Sequence, residues 1–144
     1  MAPNTARACK FCDVVAGRSD VPVVRSWPAA LAITPRGAVA AGHLMVIPRM
    51  HVAAIWDLPP DTADALFAAV VELSGIMRTA LAIQGLHTIV ATGAPAGQRT
   101  PHIHVHLVPR HDGDAMGSIW PTGVTVSDTT SAAAIDAIRS APVG

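Results

Sequence analysis

Pro101-His102-Ile103-His104-Val105-His106-Leu107-Val108-Pro109 places three histidines two apart, with an aliphatic residue in each gap. Successive side chains of an extended chain point to opposite faces. The spacing therefore predicts a strand from His102 to Pro109, with His102, His104 and His106 on one face and Ile103, Val105 and Leu107 on the other. Each imidazole carries a donor and an acceptor that need partners when buried, so a ladder of rings is poor core material. A solvated strand face more often carries Lys, Thr and Glu, and an expression tag does not alternate with Ile, Val and Leu in mid-chain. One face is expected to be core and the other to carry chemistry.

The chain around this strand has 144 residues, 51% of them hydrophobic, which is material for the core of one domain. The expected organisation is a single domain over 1–144, with a flexible arm at 1–8, a core at 9–120 and a tail at 121–144 holding a short helix. Ten basic and ten acidic residues, with no run of either sign, leave no electrostatic footprint for a nucleic acid polymer. No apolar run reaches the roughly 18 residues of a membrane span, and the polar start MAPNTARACKFC does not read as a secretory signal. The expected location is the cytoplasm, away from membranes. Cys9 and Cys12 are the two cysteines, and their C-x-x-C spacing in a reducing compartment reads as a metal or redox pair before a structural disulfide. No strand precedes the pair and no βαβ unit follows, which weakens a thioredoxin-like reading.

The remaining elements follow from periodicity. Asp13 to Gly17 reads as one helical turn stopped by glycine. Val21 to Trp27 is β-branched and extended, Ala30 to Ile33 is short and apolar, and His43 to Pro48 has the pattern of a buried strand. Pro59 and Pro60, followed by Asp61, make a helix entry, and the spacing predicts one long helix over 60–83. Leu66, Val70, Leu73 and Met77 recur on one stripe, with Phe67, Val71, Ser74 and Leu81 widening it, so that Phe67 and Met77 read as core. His87 to Ala91 is a further strand, Thr92 to Pro101 a loop, and Ser131 to Ser140 a short helix. His87 and His111 read as a structural and a surface residue. The inventory is that of an α+β domain, an antiparallel sheet with helix on one face.

Taken together, the residues resemble the histidine triad family of nucleotide hydrolases and transferases. The resemblance rests on His102-Ile-His104-Val-His106-Leu107-Val108, on Ala96-Gly97-Gln98-Arg99-Thr100-Pro101 before it, on Ala41 to His51 with a fourth histidine at His43, and on the opening Cys9 to Gly17 of the zinc-bearing branch. Four segments in register span most of residues 9–120. The resemblance implies a five-stranded antiparallel sheet with one long helix and short helices, two copies of which pair into a homodimer with a larger sheet.

For chemistry, the resemblance implies that His104 attacks the α-phosphorus of a nucleotide conjugate and forms a nucleotidyl-histidine that water hydrolyses. His106 and His43 would lie on the phosphate side. Gln98, Arg99, Thr100 and the amides of the Gly97 to Thr100 loop would bind the phosphate, an arrangement suited to developing charge. Neutral imidazole is a nucleophile at neutral pH, which suits this role. Taken alone, Gln98 is a turn residue, Thr100 a strand start and His43 a local hydrogen-bonding group; the register of the four segments raises them. The zinc-bearing branch further implies a structural zinc held by Cys9, Cys12, His51 and His102, against the alternative of an empty reduced cysteine pair. Trp120 lies where the family often has an aromatic near the site or at the dimer interface.

The chain departs from many relatives in three places. Pro35 stands where they have an aspartate for the ribose hydroxyls, Ala91 where they have an asparagine near the phosphate, and Arg99 where a serine or threonine follows the glutamine. Thr34 and Arg36 are the neighbours able to take over the ribose, and a substrate other than an ordinary purine nucleotide is the alternative. Three functions stay open: a phosphoramidase-type nucleotide hydrolase, a dinucleoside polyphosphate hydrolase or phosphorylase, and a catalytically weak nucleotide-binding or scaffold protein.

Overall fold

A computed structural model describes residues 8–144. All but the last residue of the expected flexible arm at 1–8 lies outside the described residues. The elements are α1 (Lys10–Val15), β1 (Val23–Ser26), β2 (Ala30–Ile33), β3 (Leu44–Pro48), α2 (Pro60–Leu81), β4 (Gly85–Val90), β5 (Val105–Arg110) and α3 (Asp128–Ser140), with short 3-10 turns at Ile55–Asp57 and Ala94–Ala96. The five strands form one antiparallel sheet in the order β1-β2-β3-β5-β4. The α+β architecture expected from the sequence is therefore present.

α2 begins as its sequence dictates, with Pro60 in the first turn, where a missing N–H costs nothing, and Asp61 beside the positive helix end. Leu66, Ala69, Val70, Leu73 and Met77 pack against Ala30, Ala32, Leu44, Val46, Val105 and Leu107 of the sheet. The wider stripe does not hold. Phe67 is 40% exposed and Val71 70% exposed, because a helix lying on one sheet buries about a third of its circumference.

The sheet is covered on both faces, which corrects the expectation of helix on one side only. α1 lies on the second face, where Phe11 and Val14 pack with Leu31, Ile33, Met45 and Ile47. That explains why β2 and β3 are continuous apolar runs with every residue buried. α1 also begins earlier than the expected turn at Asp13, with Cys9 as its N-cap and Cys12 within it.

The histidine strand is shorter than its sequence spacing predicts. Sheet pairing begins at Val105, opposite Val46 and Val90, so His106 is the one triad residue inside β5. His102 and His104 lie in the extended lead-in, anchored where the Ile103 amide donates to the Val52 carbonyl at 2.7 Å. Beyond β5 the fold thins, and no residue from 117 to 144, α3 included, is buried.

Gly42, immediately before His43, holds φ +83°, and a Cβ there would sit 2.5 Å from Cδ1 of Leu81. Gly42→Ala combines a left-handed backbone with that contact and is expected to cost about 1–3 kcal/mol. Denaturant midpoints of the two proteins check this; equal midpoints would show that the loop relaxes freely.

Candidate active site and metal centre

β3 and β5 fix the geometry of the histidines. Met45 on β3 pairs with His106 on β5, and both lie on the face covered by α1. Phe11 reaches from α1 to the lead-in, edge-on to His104 at 5.2 Å between ring centroids and to His102 at 5.7 Å. The three rings share a face, as their spacing predicts, although two of them precede the strand.

Hydrogen-bond partners fix the tautomer of each ring, and His104 differs from the other three. His104 Nδ1–H donates to the carbonyl of His102 at 2.9 Å, which leaves the Nε2 lone pair unused. His102 Nε2–H donates to the carbonyl of Pro48 at 2.8 Å, which leaves its Nδ1 lone pair facing the two thiols. His43 Nδ1 accepts from the Val39 amide at 3.2 Å, so its proton is on Nε2, 2.9 Å from His106 Nδ1. His106 therefore accepts from His43 and carries its own proton on Nε2.

All four rings titrate below the ordinary histidine range. Burial depresses His43, His102 and His104, against the opposing help of backbone carbonyls for the last two. His106 is pushed down from 6.5 to about 4 by burial, then by His104 and His43. These rings are neutral at pH 7, the form that a nucleophile or a metal ligand needs. Between about 4 and 6.5 the unfolded chain takes up a proton that folded His106 refuses. Stability therefore rises with pH across that window and is lost on acidification through it. Denaturant midpoints taken from pH 7.5 to 4.5 are expected to fall, and less steeply in His106→Gln; parallel profiles would remove His106 as the cause.

A cavity of about 420 Å³ opens beside His104 and His106, a size suited to a small ligand. Phe11, Val14, Val21, Pro35 and Met45 give it apolar walls, and Thr34 and Ser19 contribute hydroxyls. Lys10, Arg36 and Arg99 line it as well, and no carboxylate does. Thr100, also in the lining, is buried.

The loop expected to bind phosphate differs from expectation. Gln98 does not line the cavity; its Oε1 accepts from the Gly93 amide at 2.8 Å and its Nε2 donates to the Ala53 carbonyl at 2.7 Å. A side chain with both ends taken by backbone is a staple for the loop. The amides of Gly97 and Gln98 are likewise taken, by the carbonyls of Ala94 and Gly93. Among the described residues no acceptor takes the amides of Arg99 and Thr100, so the expected donor set narrows to these two. His43 also stands back from the cavity, acting on His106.

The second cluster gathers around His102, which Phe11 also touches. Donor atoms of Cys9, Cys12, His51 and His102 all fall within 4.8 Å of one another. Both Sγ atoms are 3.6 Å from His102 Nδ1, and Cys12 Sγ is 3.2 Å from His51 Nδ1. Tetrahedral zinc, with bonds of about 2.3 Å to sulfur and about 2.0 Å to nitrogen, separates such donors by about 3.5 Å. The four residues fit that ion in number, type and spacing, and the Pro48 carbonyl supplies the outer contact that orients a ligating imidazole. Burial, helped by Cys9, pushes the Cys12 thiol up to about 11, so thiolate at neutral pH requires a cation's charge.

Sequence reasoning missed Lys10 and Phe11, which line the cavity; their signal was their place inside the C-x-x-C, between two expected ligands. His87 Nδ1 accepts from Arg110 Nη1 at 2.9 Å, in a network with Asp114, which is a structural role. Trp120 is 78% exposed and does not line the cavity.

Comparison with known proteins places the chain in a family. The sequence model of the HIT domain matches residues 18–113. "Protein hit" of Bacillus subtilis is 32% identical over 122 residues, covering 83% of each chain. The adenylylsulfatase HINT3 of Arabidopsis thaliana is 28% identical over 108 residues, 75% of this chain and 55% of that protein. The crystal structure of a zinc-bound histidine triad family protein from Mycobacterium smegmatis superposes with a TM-score of 0.73 at 28% identity, over 83% of this chain and 86% of that one.

Proposed function

Since the chain belongs to the HIT domain family, we propose that it is a nucleotide hydrolase or transferase that cleaves nucleotide conjugates, of the adenosine phosphoramidate type, at the α-phosphorus through His104. The observation that carries the reading is the tautomer of His104. Its Nδ1–H is held by the His102 carbonyl, so the lone pair of a neutral ring is on Nε2, at the wall of a cavity lined by cations.

In the first step the Nε2 lone pair forms a bond to phosphorus while the bond from phosphorus to the leaving group breaks with its electron pair. An amine leaving group takes its proton from water; a sulfate departs without one. Positive charge develops on the His104 ring, where the Nδ1–H bond to the His102 carbonyl strengthens. Negative charge on the phosphoryl oxygens meets the Nε2–H of His106, the amides of Arg99 and Thr100, and the Arg99 guanidinium. In the second step a water oxygen bonds to phosphorus, the bond to Nε2 breaks and returns its pair to His104, and the water proton passes to solvent. His43 acts by holding His106 in the donating tautomer.

The proposed metal is a structural zinc on Cys9, Cys12, His51 and His102, which would clamp α1 to the lead-in of β5. A homodimer belongs to the same reading. β4 is an edge strand, and the outer strip of α2 with Phe67 and Val71 is apolar and uncovered, a surface suited to pairing two sheets.

The direct test is incubation with an adenosine 5′-phosphoramidate, an adenylyl sulfate and a dinucleoside polyphosphate, with mass detection of AMP and of trapped nucleotidyl-histidine. Release of AMP with adenylylated His104 is the expected result. No turnover and no adduct on all three would overturn the reading.

A further inference from the structure

Three cations line the cavity: Lys10 acts on His104, Arg99 lies in the loop before it, and Arg36 follows β2. Arg99 belongs to the loop before His104, and both residues line the cavity. Arg36 follows β2, and the register locates that end of the cavity: Ile33 pairs with Met45, and Met45 with His106. Two strand spacings of about 4.8 Å put the end of β2 roughly 10 Å from His106. The remaining walls are largely apolar, with Phe11, Val14, Val21 and Met45 beside the hydroxyls of Ser19 and Thr34.

Such a cavity matches a ligand with an anion at each end of a flat, apolar body. The cavity's polar side chains sharpen this. A sugar diol needs acceptors for its hydroxyl protons, and a carboxylate is the strongest one available. Among the described residues no carboxylate lines the cavity; Ser19 and Thr34 offer the weaker acceptors of hydroxyls, and Arg36 offers donors alone in a fork that fits phosphate. Among the described residues no side chain or carbonyl engages Arg36 or Arg99, so neither guanidinium is neutralised before a ligand arrives.

Building on the nucleotide reading, we propose that the preferred substrate carries a second phosphate on its sugar, at the 2′ or 3′ position, and that Arg36 binds it. The 5′-phosphorus then lies at His104, the base and sugar against the apolar walls, and the sugar phosphate at the Arg36 end.

Calorimetric binding tests this without requiring turnover. The probes are AMP, adenosine 2′,5′-bisphosphate, adenosine 3′,5′-bisphosphate and diadenosine tetraphosphate, on the wild-type protein and on Arg36→Ala and Arg36→Lys. One of the two bisphosphates is expected to bind at least tenfold more tightly than AMP, with the ratio falling to about one in Arg36→Ala and recovering in part in Arg36→Lys. Equal affinity for AMP and both bisphosphates would overturn the proposal, as would a preference that survives Arg36→Ala. An Arg36-dependent preference for the tetraphosphate alone would overturn it by assigning the second anion to the leaving group. An Arg36-dependent bisphosphate preference without any nucleotidyl-histidine would sustain this inference while removing the hydrolase reading.

Discussion

His104→Ala is expected to lower AMP release from an adenosine phosphoramidate by roughly four orders of magnitude or more, the scale seen when a covalent nucleophile is removed. No neighbouring ring is placed to substitute. His102 turns its lone pair to the thiols, and the lone pair of His106 Nδ1 is met by His43. His104 is buried against Phe11, so the alanine variant also opens a void. His104→Gln keeps most of the volume and separates chemistry from packing. Both variants are to be compared by thermal midpoint, by turnover and by mass for the adduct. Turnover within tenfold of wild type in His104→Gln, with the fold intact, would exclude the covalent route. His106→Ala is expected to fall less, by about 10²–10³, because it removes one donor to developing charge.

The second large effect concerns the metal. Protein purified without added metal is expected to contain one zinc per chain, and a Cys9→Ser/Cys12→Ser variant to contain none. Where free zinc exceeds its dissociation constant a thousandfold, binding stabilises the fold by about 4 kcal/mol. In a domain of this size a strong chelator should then lower the thermal midpoint by roughly 10 °C. Because burial keeps the Cys12 thiol protonated without the ion, zinc uptake releases a proton there and weakens as pH falls. Metal-free protein that is fully folded and indifferent to zinc would refute the site.

Much of the fold was written in local pattern. The apolar runs at Ala30 to Ile33 and Leu44 to Pro48, and the stripe Leu66, Val70, Leu73 and Met77, are where period and burial agree. Phe67 and Val71 misled because an apolar residue on a helix does not say whether another surface covers it. The histidine spacing gave the right face and the wrong strand limit. Pairing depends on which backbone lies alongside, and neither β3 nor β4 pairs with His102 or His104; the Ile103 amide bonds outside the ladder, to Val52. The four zinc-type donors were legible through family resemblance, since Cys12 and His102 are 90 residues apart in sequence. Gln98 shows the opposite limit. Its position lies in the expected loop, but its role depends on carbonyl and amide partners at Ala53 and Gly93 that spacing does not reveal.

The carbonyl that fixes His104 belongs to His102, whose own ring is a candidate metal ligand. On the proposed reading, one residue serves the ion through its side chain and the nucleophile through its backbone. A metal and a nucleotide bound at these residues would in consequence be heterotropic ligands of one short segment, and linkage is reciprocal. Any factor by which zinc tightens AMP binding is the factor by which AMP tightens zinc, so scarcity of the ion and abundance of the nucleotide act on a single balance.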